Sequence, residues 1–262
     1  MEIDPLKPIS GHSPANRSLE RGIAILRAFR PGSDLLGNGD IAERTGLSKS
    51  TVSRLTQTLV GAGMLQVDAA NRAYRLAPAV LSFAHAMRTG SWVLGVAAPL
   101  MRAVAEEHRI NVGLAFPDRD EMVYLESIRY NRRIAFRKVV SGQRVPMELT
   151  SLGRAYLSTT TLPLRQALFK IFEQRCGQQW PAIEEAIHLA FESVRAEDFC
   201  AAAWQPEVVA LATPIVATEG TYTLNVSVST QTATDAVVPT LRPHLAALKK
   251  SIVKAMLAAS PS

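Results

Sequence analysis

The stretch from Asp40 to Leu76 constrains the fold of this chain more than any other part of its sequence. A short apolar-periodic segment after Asp40 stops at Thr45-Gly46, and a second, longer one covers 49–60. Glycine at this junction allows the chain to reverse sharply between two packed helices. Two short apolar strands around the polar turn at 68–72 follow. This order predicts a helix-turn-helix with a hairpin behind it.

Three residues with N-capping side chains support that division. Ser18, Asp40 and Ser48 each stand just before an apolar-periodic segment. A side-chain oxygen at that position accepts a hydrogen bond from one of the first free N–H groups of a helix. These residues therefore predict the starts of three helices. The third helix is predicted to bury Val52, Leu55 and Leu59.

The polar residues of the third helix and of the hairpin tip are donors of the kind that contact phosphates and base edges. Between Glu43 and Asp68 the sequence contains three basic residues, of which Arg44 is one, and no acidic residue. The whole chain has 29 Lys and Arg against 23 Asp and Glu, and this net charge of +6 permits a polyanionic partner. The predicted DNA-binding residues are Ser48, Lys49, Ser50, Thr51, Ser53, Arg54, Gln57, Asn71 and Arg72. The alternative is an ordinary three-helix core with a polar surface.

The rest of the chain has the pattern of a linker helix followed by a mixed domain. Pro78 begins an apolar helical stretch that continues to Val93. Beyond it, helices alternate with paired strands, including a strand around 134–139 and a hairpin of 208–216 with 222–229. The second strand of that hairpin alternates apolar and polar residues, as a half-buried strand does. The predicted fold class is α+β, with a flexible tail over 1–17, a winged helix-turn-helix over 18–77, a linker helix over 78–94 and a mixed α/β domain over 95–262.

A second basic zone lies well downstream of the helix-turn-helix. Residues 129–144 contain six basic residues and no acidic one. Three interpretations stay open: a solvated strand face, an arginine such as Arg133 or Arg137 that contacts an anionic ligand, and an interface that pairs with the acidic Glu106-Glu107.

An enzyme, a metal site and a disulfide framework find no support in the sequence. The five histidines are far apart, and the two cysteines, Cys176 and Cys200, are too few for a disulfide scaffold. The adjacent pairs Glu106-Glu107 and Glu184-Glu185 point about 100° apart on a helix and form no catalytic dyad. We therefore predict no catalytic residue, metal or cofactor. No run approaches the ~20 apolar residues that span a bilayer, so the cytoplasm is the expected compartment.

Several segments, taken together, resemble IclR-type bacterial transcriptional regulators. They are 18–26 (SLERGIAIL), 41–55 (IAERTGLSKSTVSRL), 59–65 (LVGAGML), 74–76 (YRL), 142–157 (GQRVPMELTSLGRAYL), 204–215 (WQPEVVALATPI) and 224–227 (LNVS). The likeness covers about 18–250. It implies a winged helix that binds operator DNA, in a homodimer or homotetramer, and a GAF-like C-terminal domain that binds a small, often acidic or aromatic, metabolite.

The resemblance also implies an effector-binding pocket. Its residues, carried over position by position, are Leu149, Thr150, Ser151, Gly153, Cys200, Ala210, Asn225 and Ser227. Cys200 stands where many members of the family have an acidic residue. A small buried thiol is the simpler explanation of Cys200.

Two other functions remain as alternatives to a DNA-binding regulator. One is a sensor or interaction module without a DNA role, and the other is a metabolite-processing enzyme. Binding to duplex DNA that weakens steeply with salt distinguishes a regulator from both, because phosphate contacts release counterions.

Overall fold

The computed structural model describes residues 16–130, 140–205 and 207–259. These form two compact units, of which one ends at Ser91 and the other begins at Trp92. The strand predicted around 134–139, with Arg133 and Arg137, lies outside the described residues. The elements of the first unit are α1 (Arg17–Ala28), α2 (Asn38–Thr45), α3 (Lys49–Gly61), β1 (Leu65–Asp68), β2 (Ala73–Leu76) and α4 (Ala79–Gly90).

The core of the first unit contains the apolar residues of α3 that the sequence analysis predicted to be buried. Val52 is fully buried, Leu55 is buried and Leu59 packs at the edge of the same core, together with Ile25 of α1 and Ile41 of α2. β1 and β2 form an antiparallel hairpin beside α3. The three-helix core and the hairpin are those of a winged helix.

The turn between α2 and α3 and the cap of α3 confirm two predictions. Gly46 adopts the left-handed conformation at the C-terminus of α2, with φ of +67°. Ser48 caps α3, because its hydroxyl accepts a hydrogen bond of 3.3 Å from the Thr51 N–H. The chain thus turns at glycine and re-enters a helix within three residues.

The other two predicted caps were wrong. α1 begins at Arg17, inside the predicted tail, and the Asn16 side chain accepts hydrogen bonds from the N–H groups of Ser18 and Leu19. Asp40 lies in the first turn of α2, where its carboxylate accepts a hydrogen bond of 2.8 Å from the Gly37 N–H. Both helices therefore begin earlier than predicted.

The helix after the hairpin is shorter than the predicted linker helix over 78–94. α4 ends at Gly90, and Ser91 has an extended backbone conformation. Val93 and Leu94, predicted for the end of this helix, are buried in the core of the second unit. No residue of α4 is buried.

The second unit is a six-stranded antiparallel sheet with helices on both faces. Its helices are α5 (Trp92–His108), α6 (Ser151–Leu157), α7 (Leu162–Cys176), α8 (Trp180–Glu197) and α9 (Thr234–Ala259). Its strands are β3 (Asn111–Asp118), β4 (Glu121–Ile128), β5 (Arg144–Pro146), β6 (Cys200–Gln205), β7 (Val208–Ala217) and β8 (Gly220–Ser229). The strand order is β5-β4-β3-β8-β7-β6. The edge strands β5 and β6 were not predicted.

Each face of this sheet is covered by its own hydrophobic core. α5 and α9 cover the outer face, and α6, α7 and α8 cover the inner face. β8 supplies apolar residues to the outer face and polar residues to the inner one. Those polar residues, Thr223, Asn225 and Ser227, are buried, so the prediction of a half-buried strand was wrong. A polar row lies inside the domain instead of facing solvent.

Candidate nucleic-acid interface and effector pocket

The N-terminus of α3 is exposed and free of acidic residues. Ser48, Lys49 and Ser50 are all exposed, and the first turn contains no acidic residue. The Ser48 hydroxyl also lies within hydrogen-bond distance of the Ser50 and Thr51 hydroxyls, at 3.1 and 2.9 Å. Free N–H groups, a lysine and three hydroxyls at one helix end are suited to bind a phosphate.

The outward face of α3 carries the donors that are suited to contact bases. Arg54 and Gln57 are exposed on the side away from Val52 and Leu55, and Ser53 is half-buried at the edge of this face. Within the described residues, the Arg54 side chain makes no hydrogen bond or ion pair. A helix of this kind places arginine and glutamine where they can bind base edges in a major groove.

The hairpin tip gives its two predicted residues different roles. The Asp68 carboxylate accepts hydrogen bonds from the Asn71 backbone N–H at 3.0 Å and from Asn71 Nδ2 at 3.1 Å. These contacts and the Arg75 guanidinium lower the pKa of Asp68. Asn71 therefore shapes the turn, whereas Arg72 is exposed in the left-handed conformation, with φ of +49°. Arg72 is the tip side chain that remains available to a phosphate.

Two of the predicted pocket residues, Thr150 and Gly153, have structural roles at the start of α6. The Thr150 hydroxyl donates to the Pro146 carbonyl oxygen at 2.7 Å and accepts from the Gly153 N–H at 3.1 Å, so it caps the helix. A Cβ at residue 153 would collide with the Met147 backbone. Gly153 is therefore needed for close packing of the helix. Leu149 is half-buried in the loop before α6.

The remaining predicted pocket residues do come together on the inner face of the sheet. Ala210 of β7 lies opposite Ser227 of β8. Ala212 of β7 lies between Asn225 of β8 and Cys200 of β6. Ser151 joins them from α6, because its carbonyl oxygen accepts a hydrogen bond of 3.4 Å from Cys200 Sγ. The inner sheet face below the start of α6 is thus the candidate effector pocket.

Cys200 brings no charge to this pocket. Burial raises the pKa of its thiol to about 12, and the positive charge of Arg154 opposes that effect only partly. The thiol is therefore neutral at physiological pH. Its hydrogen bond to Ser151 gives it a packing role between β6 and α6.

The sequence analysis missed a buried carboxylate beside the pocket. Glu148, in the loop before α6, is buried, and its Oε1 lies 3.2 Å from Arg175 Nε of α7. Arg175 also pairs with Asp120 at 3.0 Å. Burial raises the pKa of Glu148, and the Arg175 charge opposes that shift. This ion pair ties the loop before α6 to α7.

The pocket face also carries buried polar groups that the sequence analysis did not select. Thr223, next to Asn225 in the polar row of β8, was visible in the alternation, but nothing marked it as a site residue. Tyr124 reaches the same face from β4 and had no sequence signal. Within the described ranges, Thr223 Oγ1 and Asn225 Oδ1 are buried without a hydrogen-bond partner.

The basic zone at 129–144 has one defined structural role among its described residues. Arg144 of β5 pairs with Glu121 at 2.7 Å and with Asp118. It therefore holds β5 to the β3–β4 hairpin and is not part of a solvated face. The predicted pairing of this zone with Glu106-Glu107 across a dimer interface stays a prediction.

Two kinds of site are absent from the part of the chain that is described. No three His, Cys, Asp or Glu side chains cluster closely enough to hold a metal ion. None of the described helices combines the length and the apolarity that crossing a membrane requires.

A winged helix with exposed donors, followed along the chain by an α/β unit with a buried polar row, is typical of DNA-binding transcriptional regulators. Residues 18–69 match the IclR helix-turn-helix domain, and residues 87–253 match the domain described as bacterial transcriptional regulator IclR C-terminal. The chain belongs to the IclR family of bacterial transcriptional regulators.

Individual relatives agree with that assignment. The HTH-type transcriptional regulator TsaQ1/TsaQ2 of Comamonas testosteroni is 33% identical over 178 residues, which are 67% of this chain and 63% of that protein. The alignment thus spans less than two thirds of that relative. The crystal structure of an IclR family transcriptional regulator from Brucella abortus is 30% identical, with a TM-score of 0.82 over 97% of this chain and 98% of that one.

A further solved structure shares the fold and contains a ligand. It is an IclR homologue from Microbacterium hydrocarbonoxydans in complex with 4-hydroxybenzoate. It is 22% identical, with a TM-score of 0.70 over 92% of this chain and 100% of that one. The chain therefore shares the fold of that protein.

Proposed function

We propose that this regulator binds operator DNA through the N-terminal end and outward face of α3, with Arg72 of the hairpin on the adjacent backbone, and controls a metabolic or catabolic operon in the cytoplasm. The observation that carries this proposal is the exposure of Lys49, Ser50, Arg54 and Gln57 on one helix surface without an acidic neighbour in the first turn. Phosphate contacts position such a helix and base contacts give it specificity.

A salt titration tests the DNA-binding part of the proposal. The full chain is titrated onto a fragment of its own upstream region and onto an unrelated duplex of equal length. We expect binding to both to weaken steeply with salt, and the upstream fragment to bind more tightly. A sensor module or an enzyme without a DNA role would bind neither fragment.

We further propose that the regulator works as a homodimer or homotetramer in which α4 pairs with a second copy. Phe83 and Met87 are four residues apart, so they share one helix face, and both are exposed. A helix with no buried residue and exposed large apolar side chains gains stability when a second apolar surface covers it.

The oligomer mass tests that pairing. Phe83→Glu is expected to halve the mass measured by light scattering, because a charge in an apolar interface is costly. Leu257→Glu is the control, since Leu257 is a large apolar residue that is even more exposed, at the end of α9. A Phe83→Glu protein with the wild-type mass would contradict the role of α4.

The effector is proposed to be a small organic acid or an aromatic metabolite that binds the inner sheet face. Bound ligand would shift the population between two dimer geometries, and α4, which connects the winged helix to α5, would transmit the change. The 4-hydroxybenzoate complex of a protein with the same fold supports this ligand class. A thermal-shift screen of organic acids tests it, because a ligand that binds only the folded state raises the Tm.

A further inference from the structure

A cavity of about 500 Å³ lies between the turn after α6, the start of α7 and the second half of α8. The described residues that line it belong to this helical layer and not to the sheet strands of the candidate effector pocket. A volume of this size accommodates a small organic ligand. Most of the lining side chains are polar or charged: Ser158, Thr159, Arg165, His188, Glu192 and Arg195.

The guanidinium of Arg165 is held in place at one wall of this cavity. Its Nη2 donates a hydrogen bond of 2.8 Å to the Thr160 carbonyl oxygen, and its Nε donates one of 3.4 Å to the Thr160 hydroxyl. The guanidinium carbon lies 4.6 Å from the centroid of the Phe191 ring. Burial lowers the pKa of Arg165, and within the described residues no carboxylate pairs with it to offset that effect. Its Nη1 therefore remains available to an anion.

α8 brings a second guanidinium to the same cavity. His188, Glu192 and Arg195 are spaced by four and three residues, so they share one face of the helix. Arg195 is exposed, and its side chain makes no hydrogen bond or ion pair in the part of the chain that is described. Two guanidiniums without a carboxylate partner thus line one cavity. A phosphate group suits them, because its three acceptor oxygens can bind both guanidiniums at once.

The oxygen atoms that line the cavity can only accept hydrogen bonds from a ligand. Ser158 Oγ donates its hydrogen to the Ala155 carbonyl oxygen at 2.7 Å. Thr159 Oγ1 donates its own to the Tyr156 carbonyl oxygen, also at 2.7 Å. Each hydroxyl therefore has only lone pairs left, and the exposed carboxylate of Glu192 has no hydrogen to donate. A ligand that satisfies the whole cavity must carry O–H donors in addition to its anionic group.

We propose that this cavity is a second ligand site, which binds a sugar phosphate with its phosphate group on Arg165 and Arg195. The sugar hydroxyls donate to Glu192 and to the hydroxyl oxygens of Ser158 and Thr159. A sugar phosphate combines the two features that the lining requires, a compact anion and a body with several O–H donors. The regulator thus receives a second metabolic signal at a site that shares no residue with the candidate effector pocket.

Calorimetry on the full-length protein tests the ligand class. The probes are glucose 6-phosphate and ribose 5-phosphate, and the comparison compounds are glucose, inorganic phosphate and gluconate, which has a carboxylate in place of the phosphate. We expect at least one sugar phosphate to bind about tenfold more tightly than every comparison compound, because each of these lacks part of the required contacts. No binding of either sugar phosphate, or equally tight binding of a comparison compound, would overturn the proposal.

Variants on α8 locate the site. Arg195→Gln is expected to weaken binding of the sugar phosphate at least about tenfold without changing the Tm of the ligand-free protein, because the side chain makes no contact that stabilises the fold. Glu192→Ala is expected to reduce the preference for the sugar phosphate over inorganic phosphate. Arg102→Gln, on α5, and Glu185→Ala, on α8 outside the lining, remove exposed charges and are the controls. Undiminished binding in Arg195→Gln would show that the sugar phosphate binds elsewhere.

Operator binding separates this proposal from the proposed function. Wild type and Arg195→Gln are expected to bind the upstream fragment with the same affinity and salt dependence when no probe is present. If operator binding persists while neither sugar phosphate binds, only the second ligand site fails. If the wild type does not bind the operator, the proposed function fails.

Discussion

Arg44 of α2 donates a hydrogen bond of 3.0 Å from Nη1 to the carbonyl oxygen of Ala28, the last residue of α1. Its Nη2 donates another to Ser33 Oγ, also at 3.0 Å. A cation at a helix C-terminus satisfies a free carbonyl and interacts favourably with the helix dipole. Although Arg44 belongs to the basic stretch of the winged helix, it links two helices of that unit.

Replacement of Arg44 is therefore expected to act on stability first. Arg44→Met should lower the free energy of unfolding of the winged helix by about 1–2 kcal/mol, as for a hydrogen bond from a charged donor. Operator affinity should fall only when the domain begins to unfold. Thermal denaturation and the salt slope of binding measure the two effects, and a flatter salt slope with unchanged stability would show a phosphate contact instead.

Arg54 is expected to contribute to operator affinity and not to stability. Arg54→Ala should weaken operator binding by roughly 1–3 kcal/mol, as for a base-contacting arginine, and relax specificity at one base position. Stability should not change, because the side chain is exposed. A gel-shift titration against base-substituted operators measures this effect, and Arg102→Ala, which removes an exposed arginine on α5, is the control. Unchanged operator affinity would exclude Arg54 from the interface.

Lys49 should contribute charge and little specificity. Lys49→Ala is expected to weaken binding to operator and unrelated DNA alike, and to reduce the slope of log affinity against log salt by about one. Affinities at four salt concentrations on both duplexes provide the measurement. A loss confined to the operator would instead indicate a base contact.

Ser227 tests the pocket independently of the DNA interface. It is buried on the inner sheet face opposite Ala210, so Ser227→Leu places a larger apolar group in the pocket. Effector response should be abolished while operator binding persists. A reporter titration measures the effector response, and a gel shift measures operator binding. A wild-type effector response would place the pocket elsewhere in the domain.

Stability should depend on pH through a pair of stacked histidines. The rings of His108 on α5 and His244 on α9 have centroids 3.9 Å apart. Burial, followed by the charge of His108, lowers the pKa of His244, and Glu107 opposes that shift. As pH falls below about 6.5, the unfolded chain takes up a proton that the folded chain resists. Stability is therefore lost on acidification.

His244→Phe keeps the stacked ring and removes the titrating group. The Tm of the wild type should decrease more between pH 7 and pH 5 than the Tm of this variant, as measured by calorimetry in buffers of equal ionic strength. Equal losses in the two proteins would show that the stacked pair does not control the pH dependence.

Local signals located the elements of the winged helix well but not always their first residues. Ser48 and Gly46 were predictable because capping and helix reversal depend on a few adjacent residues. Asn16 and Ser18 are two residues apart and both able to cap, so tertiary contacts decide between them. The stretch 88–91 (RTGS) contains no apolar residue, and its glycine is a signal for the end of α4 that the prediction of one helix up to 94 did not use.

Edge strands and most of the pocket depend on long-range contacts that a sequence does not show. β6 contains three alanines in succession, which have little strand propensity, and it forms because β7 offers it a partner. Tyr124 lies beside Asn225 only because of the register of β4, β3 and β8. The family resemblance selected residues that the sheet brings together as a candidate pocket, whereas the hydroxyl of Thr150 caps α6 and the absence of a side chain at Gly153 allows that helix to pack closely.

The buried position of the polar row in the C-terminal sheet has a consequence for the lifetime of the regulator in the cell. The buried polar row of Thr223, Asn225 and Ser227 lies on the inner face of that sheet, within the folded domain. A metabolite that binds there binds only the folded chain, so it lowers the fraction of unfolded chains. Because cellular proteases degrade unfolded chains, the regulator should accumulate when its metabolite is present and be turned over faster when the metabolite is exhausted.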